Sequence, residues 1–443
     1  MTKLELFQII SNAADYGNIC LFVGAGFSKA VFEETTIKPP TWLELLQKIY
    51  TEKNIRFDES ELLGKSCPEI ASYLVSKMMS FDENLKYEDA IKSLKTIVCR
   101  EVQYIPNENE CKTFAPLLKA FNPEYIITTN YDLVLEAILP DIGYPLAPTD
   151  CLKSPRKYVP IYHLHGICQT PSSIVITNED YIQLFRPNDY RLEKLALIMK
   201  ESTVIFLGYA IGDQNVKTSI DWANNIYKGL DVENAKKIQI VYKSNPSNEV
   251  YEIGNMMTIE TNKLSLLLNE FYEFRENKIS EAKKESDNLL KLREAYLSGD
   301  KTLIDAFISD ENKRKIIIKK SLDNRVDLLV PFQFFLKNVY NQCWINARPK
   351  GAFKAYNDMT KIILDLLIVM DLRNPSFFIT VANEFSKFAE YIGNKYYGQS
   401  FSAAETWNTR KLEIPKNVCK ELKKYGFNHS FYIEQLVDEI LEN

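Results

Sequence analysis

ICLFVGAGFSKA, residues 19–30, is the stretch from which the architecture of this chain can be predicted. Its five consecutive apolar residues, Ile19–Val23, are typical of a strand buried on both faces of a sheet. Residues 24–26 then form a tight turn that opens a helix. Such a turn can bind a pyrophosphate, because glycine allows close backbone approach and a helix start offers N–H groups. The match to a dinucleotide-binding turn is partial, since Lys29 occupies the third glycine position, and this motif alone leaves phosphate binding open.

Further apolar runs that end in glycine or polar residues follow in the first part of the chain. They are rich in Ile, Val, Tyr and Phe on consecutive positions, as strands buried on both faces are. The runs are YIITTNYD at 125–132, YHLHG at 162–166, IVIT at 174–177, VIFLGYAIGD at 204–213 and IQIVY at 238–242. Helical patterns lie between them, so the sequence predicts an α/β fold with a Rossmann-like, mainly parallel sheet covered by helices on both sides.

Two regions depart from this alternation of strands and helices. Residues 43–119 contain no strand pattern, so we expect a helical insertion between the first and second strands, able to roof a cleft. After about residue 262 the strand patterns stop, and charged helical patterns continue to the end. We therefore expect an α/β domain over residues 1–275 and an all-helical C-terminal domain over residues 276–443. The second domain would serve assembly, partner binding or regulation.

The composition limits the class of protein. A length of 443 residues predicts two or three domains, and 46% apolar with 26% charged residues is typical of soluble proteins. A net charge of -5 argues against direct binding to nucleic acid. The 8 cysteines form no C-x-x-C pair, so neither a disulfide framework nor a zinc ribbon is expected. Since no signal peptide or membrane span is predicted either, we expect a cytoplasmic protein without a membrane partner.

Polar side chains follow the strand predicted at residues 125–127, at the edge where open α/β sheets bind their ligands. They include Thr129, Asn130 and Asp132, and an amide and a carboxylate here could hold ribose hydroxyls or a water molecule. The alternative is that Asn130 or Asp132 caps the next helix. Capping could account for one of these two residues, but hardly for both.

A second set of candidate residues follows the strand predicted at residues 204–207. Gly208 and Tyr209 could line a nucleotide pocket there. Asp213 is better explained as the cap of the next helix, with Asn215 in its first turn. Several strand ends thus carry small or polar residues, in the order expected of one shared crevice.

The YHLHG run raises the question of what its two histidines do. His163 and His165 are two of only 3 histidines in the chain. They could be buried core residues, a pair of metal ligands, or a catalytic base with a neighbour. On a strand, both side chains would point to the same face with the spacing of two ligands. A metal site also needs a third ligand, from His429 or an acidic residue, and we expect no metal here.

Four motifs, in this order and at these separations, resemble the sirtuin superfamily: GAGFS, TTNYD, HLHG and GYAIGDQN. The closer resemblance is to the sirtuin-like NAD-hydrolysing proteins of bacterial anti-phage defence, which also carry a T-x-x-D-Y segment. That segment is residues 177–181 in this chain. The resemblance spans about residues 15–260. It implies that the α/β domain is a catalytic domain with NAD as its substrate.

The chain departs from the deacetylating sirtuins at two places. Those proteins carry paired cysteines of a zinc ribbon after the histidine-glycine motif, whereas Cys168 stands alone here, so no zinc is expected. The sirtuin segment GIPDFR is replaced by KPPTWLEL, which puts Pro40 and Trp42 in the matching place. Contacts to the nicotinamide end of the cofactor therefore cannot be carried over.

The resemblance also implies roles for individual residues. Asn130 matches the asparagine near the nicotinamide ribose, and His165 matches the histidine that acts as base, so these two are the expected catalytic residues. His163 has no such counterpart and is expected to be a buried residue that orients its neighbour. The residues expected to contact NAD are Gly24, Ala25, Gly26, Ser28, Thr129, Asp132, Gly208 and Tyr209.

The activity that the resemblance implies is NAD hydrolysis, which releases nicotinamide and ADP-ribose and depletes cellular NAD in abortive infection. The alternatives are an NAD-dependent protein deacylase and a non-catalytic sensor of NAD or an ADP-ribose derivative. Implied partners are further copies of the chain, a HerA-like ATPase or helicase, a short Argonaute, or a phage protein acting as trigger. We expect His165→Ala to abolish NAD cleavage and His163→Ala to leave a substantial fraction of it.

Overall fold

A computed structural model of the chain describes residues 1–184, 190–209, 220, 235–253, 256–348, 353–393 and 401–442. By its internal contacts the chain divides into two compact units, Met1–Ile279 and Ser280–Asn443. The first unit contains strands and helices, and the second contains helices throughout its described residues. Among the described residues, no helix combines the length and the apolar character needed to cross a membrane.

The described residues of the first unit form one eight-stranded sheet. Its strands are β1 (Ile19–Val23), β2 (Pro123–Thr128), β3 (Gly143–Leu146), β4 (Val159–His163), β5 (Thr203–Leu207), β6 (Lys237–Tyr242), β7 (Tyr251–Ile253) and β8 (Met256–Thr261). Their order is β3-β4-β2-β1-β5-β6-β8-β7. The six neighbouring pairs from β3 through to β8 are parallel, whereas β8 and β7 pair antiparallel. The predicted mainly parallel α/β sheet is confirmed.

Both faces of this sheet are covered, as consecutive apolar residues predict. In β1, Leu21 and Val23 belong to one buried cluster, together with residues from the helices Lys3–Tyr16 and Glu108–Lys119. Phe22 belongs to another cluster, on the opposite face, with residues from the helix Tyr190–Glu201. Alternate side chains of a strand point to opposite faces, so a strand that is apolar throughout needs both faces covered.

The helices of the first unit fall before, between and after these strands. They are Lys3–Tyr16, Ala25–Val31, Trp42–Glu52, Glu59–Leu62, Cys67–Phe81, Tyr87–Glu101, Glu108–Lys119, Val134–Ile138, the 3-10 turn Pro171–Ser173, Asn178–Leu184, Tyr190–Glu201 and the start of Leu264–Ser298. The five from Trp42 to Lys119 lie between β1 and β2, where the sequence predicts an inserted group of helices.

The prediction of a strand at IVIT, residues 174–177, is wrong. These residues are buried but join no strand of the sheet, because their backbone is bonded to loops instead. The N–H of Val175 donates to the carbonyl of His165 at 2.8 Å, and its own carbonyl accepts the hydroxyl of Tyr131 at 2.8 Å. Conversely, β3, β7 and β8 carry no pattern that the sequence prediction recognised.

β1 lies at the point where the direction of chain travel across the sheet reverses. The chain moves from β1 to β2 on one side, and later returns to β5 on the other side. The loops that leave β1 and β5 therefore start out together at the carboxyl edge. In doubly wound sheets such a point is where ligands bind.

The inserted helices form a core of their own at this edge. Leu46, Ile49 and Leu74 are buried in it, and so are Tyr131 and Ile174, which follow β2 and β4. The insertion is therefore packed against the segments that leave the sheet at its carboxyl edge.

The described residues of the second unit share a buried core of mainly aliphatic side chains, which also contains aromatic residues such as Phe335 and Trp407. Arg314 is also buried there, and its Nε donates to Asp365 at 2.7 Å. Arg410 donates to the other oxygen of Asp365 at 3.0 Å. The helices are the end of Leu264–Ser298, then Lys301–Ser309, Glu311–Asp323, Arg325–Ala347, Phe353–Ile368, Pro375–Ser386, Ala389–Gly393, Phe401–Arg410, the 3-10 turn Lys411–Glu413, Lys416–His429 and Phe431–Leu441.

Candidate active site

A cavity of about 860 Å³ opens at the carboxyl edge of the sheet. Its floor comes from the loops after β1, β2, β4 and β5, and its roof from the inserted helices. From the floor, the lining includes Ala25, Gly26, Thr129, Asn130, Asp132, His165, Gly208 and Tyr209. Most of the predicted site residues are thus brought together. The size is within the range of pockets that enclose a small molecule or cofactor.

Two loops meet closely beside this cavity. The N–H of Gly26, after β1, donates to the carbonyl of Gly208, after β5, at 2.8 Å. A Cβ on Gly26 would lie 2.7 Å from that oxygen, and a Cβ on Gly208 would lie 2.1 Å from the backbone nitrogen of Phe27. Gly208 also has a φ of 58°, which disfavours other residues. Gly26 and Gly208 are therefore required by contact between the loops.

The turn that the sequence predicts to bind phosphate uses two of its N–H groups for bonds within the protein. The N–H groups of Gly26 and Phe27, at the start of the helix Ala25–Val31, already donate to carbonyls of the protein. The cavity wall here also includes Lys29, which is paired with Glu44 at 3.2 Å. Gly24 lies beneath Tyr209, with room for no side chain, since a Cβ would come within 2.7 Å of the tyrosine ring.

Ser28 lies below the cavity, fully buried, and is bonded to two other predicted site residues. Its hydroxyl donates to Asp132 Oδ2 at 3.0 Å and accepts from Asn130 Nδ2 at 3.0 Å. The structure therefore assigns Ser28 contacts with the protein, where the sequence prediction assigned it contact with NAD. The motif residue in the helix after β1 and the motif residues that follow β2 form one hydrogen-bonded group.

Asp132 is the centre of this group. Besides Ser28, it accepts the hydroxyl of Tyr104 at 3.2 Å and the N–H of Val134 at 3.1 Å, so it also caps the helix Val134–Ile138. Burial raises the pKa of Asp132 above its ordinary value, although these donors oppose the effect. One carboxylate thus accepts the first N–H of the helix Val134–Ile138 and also lines the cavity, and its contact with NAD stays a prediction.

The backbone before Asn130 is also held. The hydroxyl of Thr128 donates to the carbonyl of Val23 at 3.0 Å and accepts the N–H of Asn130 at 3.0 Å. Thr129 follows with its side chain at the cavity. Asn130 itself is 9% exposed and lines the cavity, so its amide can meet a bound molecule.

His163 and His165 occupy different environments, which corrects the expectation that both point to one face of a strand. β4 ends at His163, and a turn follows in which the N–H of Gly166 donates to the carbonyl of His163 at 3.2 Å. His165 lines the cavity and His163 lies behind it, fully buried. No group of three His, Cys, Asp or Glu side chains suited to a metal occurs among the described residues.

Both ring nitrogens of His163 are bonded to oxygen. Nδ1 lies 2.9 Å from the carbonyl oxygen of Asn130, and Nε2 lies 2.8 Å from Glu136 Oε1. Burial by itself lowers the pKa of His163, but Glu136, the Asn130 carbonyl and Asp132 outweigh it, and the net result is a raised pKa.

His165 is surrounded by aromatic rings. The hydroxyl of Tyr181 lies 3.3 Å from its Nε2, and the ring of Trp42 lies 6.1 Å away between centroids. Trp42 and Tyr181 stack on each other at 6.1 Å. All three side chains line the cavity, which makes this end of it apolar and largely screened from water.

The T-x-x-D-Y segment explains how Tyr181 reaches His165. Asp180 Oδ2 accepts the N–H groups of Ile176 and Thr177, both at 3.1 Å. Its other oxygen accepts Lys95 Nζ, from the inserted helix Tyr87–Glu101, at 2.6 Å. The segment is thus fastened to the insertion, and it presents Tyr181 to the cavity.

Several cavity residues had no predicted role. Trp42 and Tyr181 were visible as parts of motifs, but their contacts with His165 depend on how the insertion folds back. Tyr104 and Lys95 lie in stretches whose pattern shows only an apolar face, so no local signal identifies them. Asp213 and Asn215, from the GYAIGDQN motif, lie outside the described residues.

Comparisons with known proteins agree with this geometry. Residues 124–259 match the SIR2-like domain family. Defense-associated sirtuin 2 of Bacillus subtilis is 22% identical to this chain over 248 residues. That match covers 51% of this chain and 21% of the relative, so the chain spans about a fifth of the relative's length. The sheet, the described motif residues at its carboxyl edge and these matches show that the first unit is similar to a sirtuin-like domain.

Proposed function

We propose that the first unit binds NAD in the cavity at the carboxyl edge and hydrolyses it to nicotinamide and ADP-ribose. The observation that carries the proposal is the convergence of Asn130 and His165 on one cavity, with Asn130 bonded to the buried Ser28 and His165 within 3.3 Å of the Tyr181 hydroxyl. A SIR2-like domain supports NAD as the bound molecule.

The reaction breaks the N-glycosidic bond to nicotinamide, through a transition state in which positive charge builds up on the ribose. Nicotinamide is already cationic in NAD and leaves without a general acid. The protein must therefore bind the substrate, exclude bulk water and direct a nucleophile to the ribose. The ring of aromatic side chains at Trp42, Tyr181 and His165 supports such a desolvated end of the cavity.

In this proposal, the Asn130 amide orients a ribose hydroxyl or the attacking water, and neutral His165 accepts the proton. A base in this position contributes about a hundredfold to ten-thousandfold to the rate. The indole N–H of Trp42 has no acceptor among the described residues. A polar group of the substrate would provide one, because buried donors are nearly always bonded.

Two variants test the catalytic roles. We expect His165→Ala and Asn130→Ala each to lower nicotinamide release from NAD at least about a hundredfold, because each removes a group that acts on the reacting ribose or water. Release is measured by chromatography with purified protein, and circular dichroism checks that the variants are folded.

The matched controls are His429→Ala, in the helix Lys416–His429, and Asn84→Ala, in an exposed turn of the first unit. Both should keep the rate of the parent protein. Turnover by His165→Ala or Asn130→Ala at that rate would contradict the assigned roles.

Two other functions would give different products from the same cavity. An NAD-dependent deacylase would release nicotinamide only when an acylated peptide is present. A sensor would show a thermal shift with NAD and release no nicotinamide. We favour hydrolysis over deacylation because Cys168 has no paired partner in its sequence neighbourhood, as a zinc module beside a peptide groove would need.

We also propose a role in defence, with the second unit controlling the enzyme through assembly or partner binding. The name of the relative from Bacillus subtilis supports the first part. Control must exist, because an NADase that is always active would deplete the NAD of its own host. Comparing NAD turnover by the full chain with and without phage components tests this, and equal turnover would contradict control by a phage trigger.

A further inference from the structure

The contacts of His163 carry an inference about how the proposed active site is held in shape. His163 is one of the few fully buried polar side chains of the first unit, and the proposed mechanism gives it no part. Its partners are the carbonyl of Asn130 and the carboxylate of Glu136. One partner belongs to a proposed catalytic residue, and the other lies in the helix behind it.

The chemistry of the two partners constrains the imidazole. A carbonyl oxygen only accepts hydrogen bonds, so Nδ1 must carry a proton to bond with Asn130. An ionised carboxylate also only accepts, so Nε2 must carry a proton to bond with Glu136. With distances of 2.9 and 2.8 Å, both contacts are hydrogen bonds. The pair is satisfied when His163 is an imidazolium and Glu136 a carboxylate.

Asn130 is then held by hydrogen bonds at its side chain, its N–H and its carbonyl. Its side chain donates to Ser28, its N–H donates to Thr128, and its carbonyl accepts from His163. A backbone carbonyl that binds a charged donor is held more firmly than one that binds a neutral donor. Rotation of the peptide after Asn130 would break that bond, and the backbone that carries the Asn130 side chain would lose one of its contacts.

We propose that His163 is a positively charged positioning residue, which holds the backbone of Asn130 and is held in turn by Glu136. The proposal rests on the proposed NAD cleavage for its kinetic consequences, but its charge state does not. His163 therefore acts through Asn130 and touches no substrate.

Acidic groups around His163 decide how it responds to pH. Glu136 and Asp132 both face it, the first from the helix Val134–Ile138 and the second from the turn that precedes this helix. Its raised pKa means that the contribution to stability is fully present below about 6.5 and is lost as pH rises through the folded-state value. Above that value one ring nitrogen would present a lone pair to an oxygen, and the hold on Asn130 would weaken.

Glu136→Gln removes the negative charge beside His163 and keeps the size of the side chain nearly unchanged. The amide of the substituted side chain can donate to Nε2 of a neutral imidazole, while Nδ1–H still donates to Asn130, so both hydrogen bonds survive without the charge. We expect kcat for nicotinamide release to fall about tenfold, with KM changed less than about twofold, since positioning affects the transition state more than binding. His163→Ala should lower kcat by about ten- to a hundredfold, a larger loss than the sequence alone suggests.

The pH profile gives a readout that a merely structural role would not move. In the parent protein, kcat should fall on the alkaline side as His163 loses its proton, and in Glu136→Gln this fall should begin at lower pH. Glu88→Gln, the same change at an exposed helix start, is the matched control and should keep the parent profile. A parent-like kcat and profile in Glu136→Gln would overturn the charged role.

A second measurement does not depend on activity. Because the chain has 3 histidines, nitrogen NMR of labelled histidine gives few ring signals, and the His163→Ala and His429→Ala variants assign them. We expect His163 to carry protons on both nitrogens just above about pH 6.5, where an ordinary histidine is mostly neutral. A single proton on His163 there would overturn the proposal even if the parent protein cleaves NAD. A doubly protonated His163 in a protein that cleaves no NAD would instead refute the proposed function alone.

Discussion

Gly208 shows how a single residue decides whether the two central loops can meet. Its backbone has a positive φ, and a Cβ would collide with the backbone nitrogen of Phe27. The glycine was predicted as part of a nucleotide pocket from its place at a strand end. The contact that requires it joins two segments far apart in sequence, and no local pattern contains that information.

We predict that Gly208→Ala lowers the free energy of unfolding by at least about 3 kcal/mol, because both the backbone angle and the collision are unfavourable. Denaturant titration measures the loss. Gly17→Ala is the matched control, since Gly17 has a φ of 69° but a Cβ added there would meet nothing within 4 Å. That variant should lose only about 1–2 kcal/mol. Equal losses would show that the loop contact contributes nothing.

At the same scale, the sequence identifies the residue types of the site better than their tasks. Asn130 and His165 were predicted to meet, and both line the cavity. Ser28 and His163 were harder to place, because whether a side chain faces a ligand or a neighbouring loop depends on packing. The bonds of Ser28 to Asp132 and Asn130 span more than a hundred residues of sequence.

At the scale of elements, an ion pair joins the insertion to the segment that precedes Tyr181. Lys95, on the helix Tyr87–Glu101, pairs with Asp180, which fixes the turn before Tyr181. Both side chains are largely buried, 10% and 17% exposed. An ion pair so placed resists screening by water, and losing one partner leaves a carboxylate without its counter-charge.

Lys95→Met should therefore destabilise the chain by about 1–3 kcal/mol, between the values for exposed and buried pairs. The turn before Tyr181 should loosen as well, so we expect a lower kcat for nicotinamide release. Lys112→Met removes the cation of an exposed pair with Glu108, 72% and 80% exposed, and should cost less than about 0.5 kcal/mol. Thermal unfolding and NAD turnover of both variants provide the comparison, and indistinguishable results would refute the link.

Elements were predictable to different degrees. β1, β2, β5 and β6 carry apolar runs, and each is a strand close to its predicted place, whereas β4 begins and ends three residues before the predicted run at 162–166. β3 and β7 are short and partly exposed at the two edges of the sheet, so they carry little apolar signal. IVIT has the composition of a strand, but the backbone of Val175 bonds to His165 and Tyr131 in loops, which no local pattern predicts.

At the scale of the whole molecule, each unit has its own buried core. The clusters of the first unit end at Phe271, and the core of the second begins at Tyr296. The sequence predicts this division from the loss of strand patterns alone. The function of the second unit cannot be predicted from the sequence, because the apolar pattern of its helices indicates which residues are buried and identifies no binding or reactive group.

Separate cores predict two transitions in calorimetry of the full chain. Asp365→Asn should lower the temperature of one transition, because it removes the charge of a buried carboxylate that pairs with both Arg314 and Arg410. Breaking a buried pair costs about 3–5 kcal/mol, so the shift should be several degrees. The other transition, and NAD turnover, should stay unchanged. A single transition that moves as a whole would mean that the two units unfold together.

The cavity takes its floor and its roof from different stretches of the chain, and this gives the domain a way to diversify. Asn130 and His165 follow strands of the sheet, and a substitution there would disturb the many residues that pack against those strands. The inserted helices, which bring Trp42 and Tyr104 to the roof, can vary without altering a single strand. We therefore expect differences between relatives of this domain to concentrate above the cavity, while the residues at the strand ends stay the same.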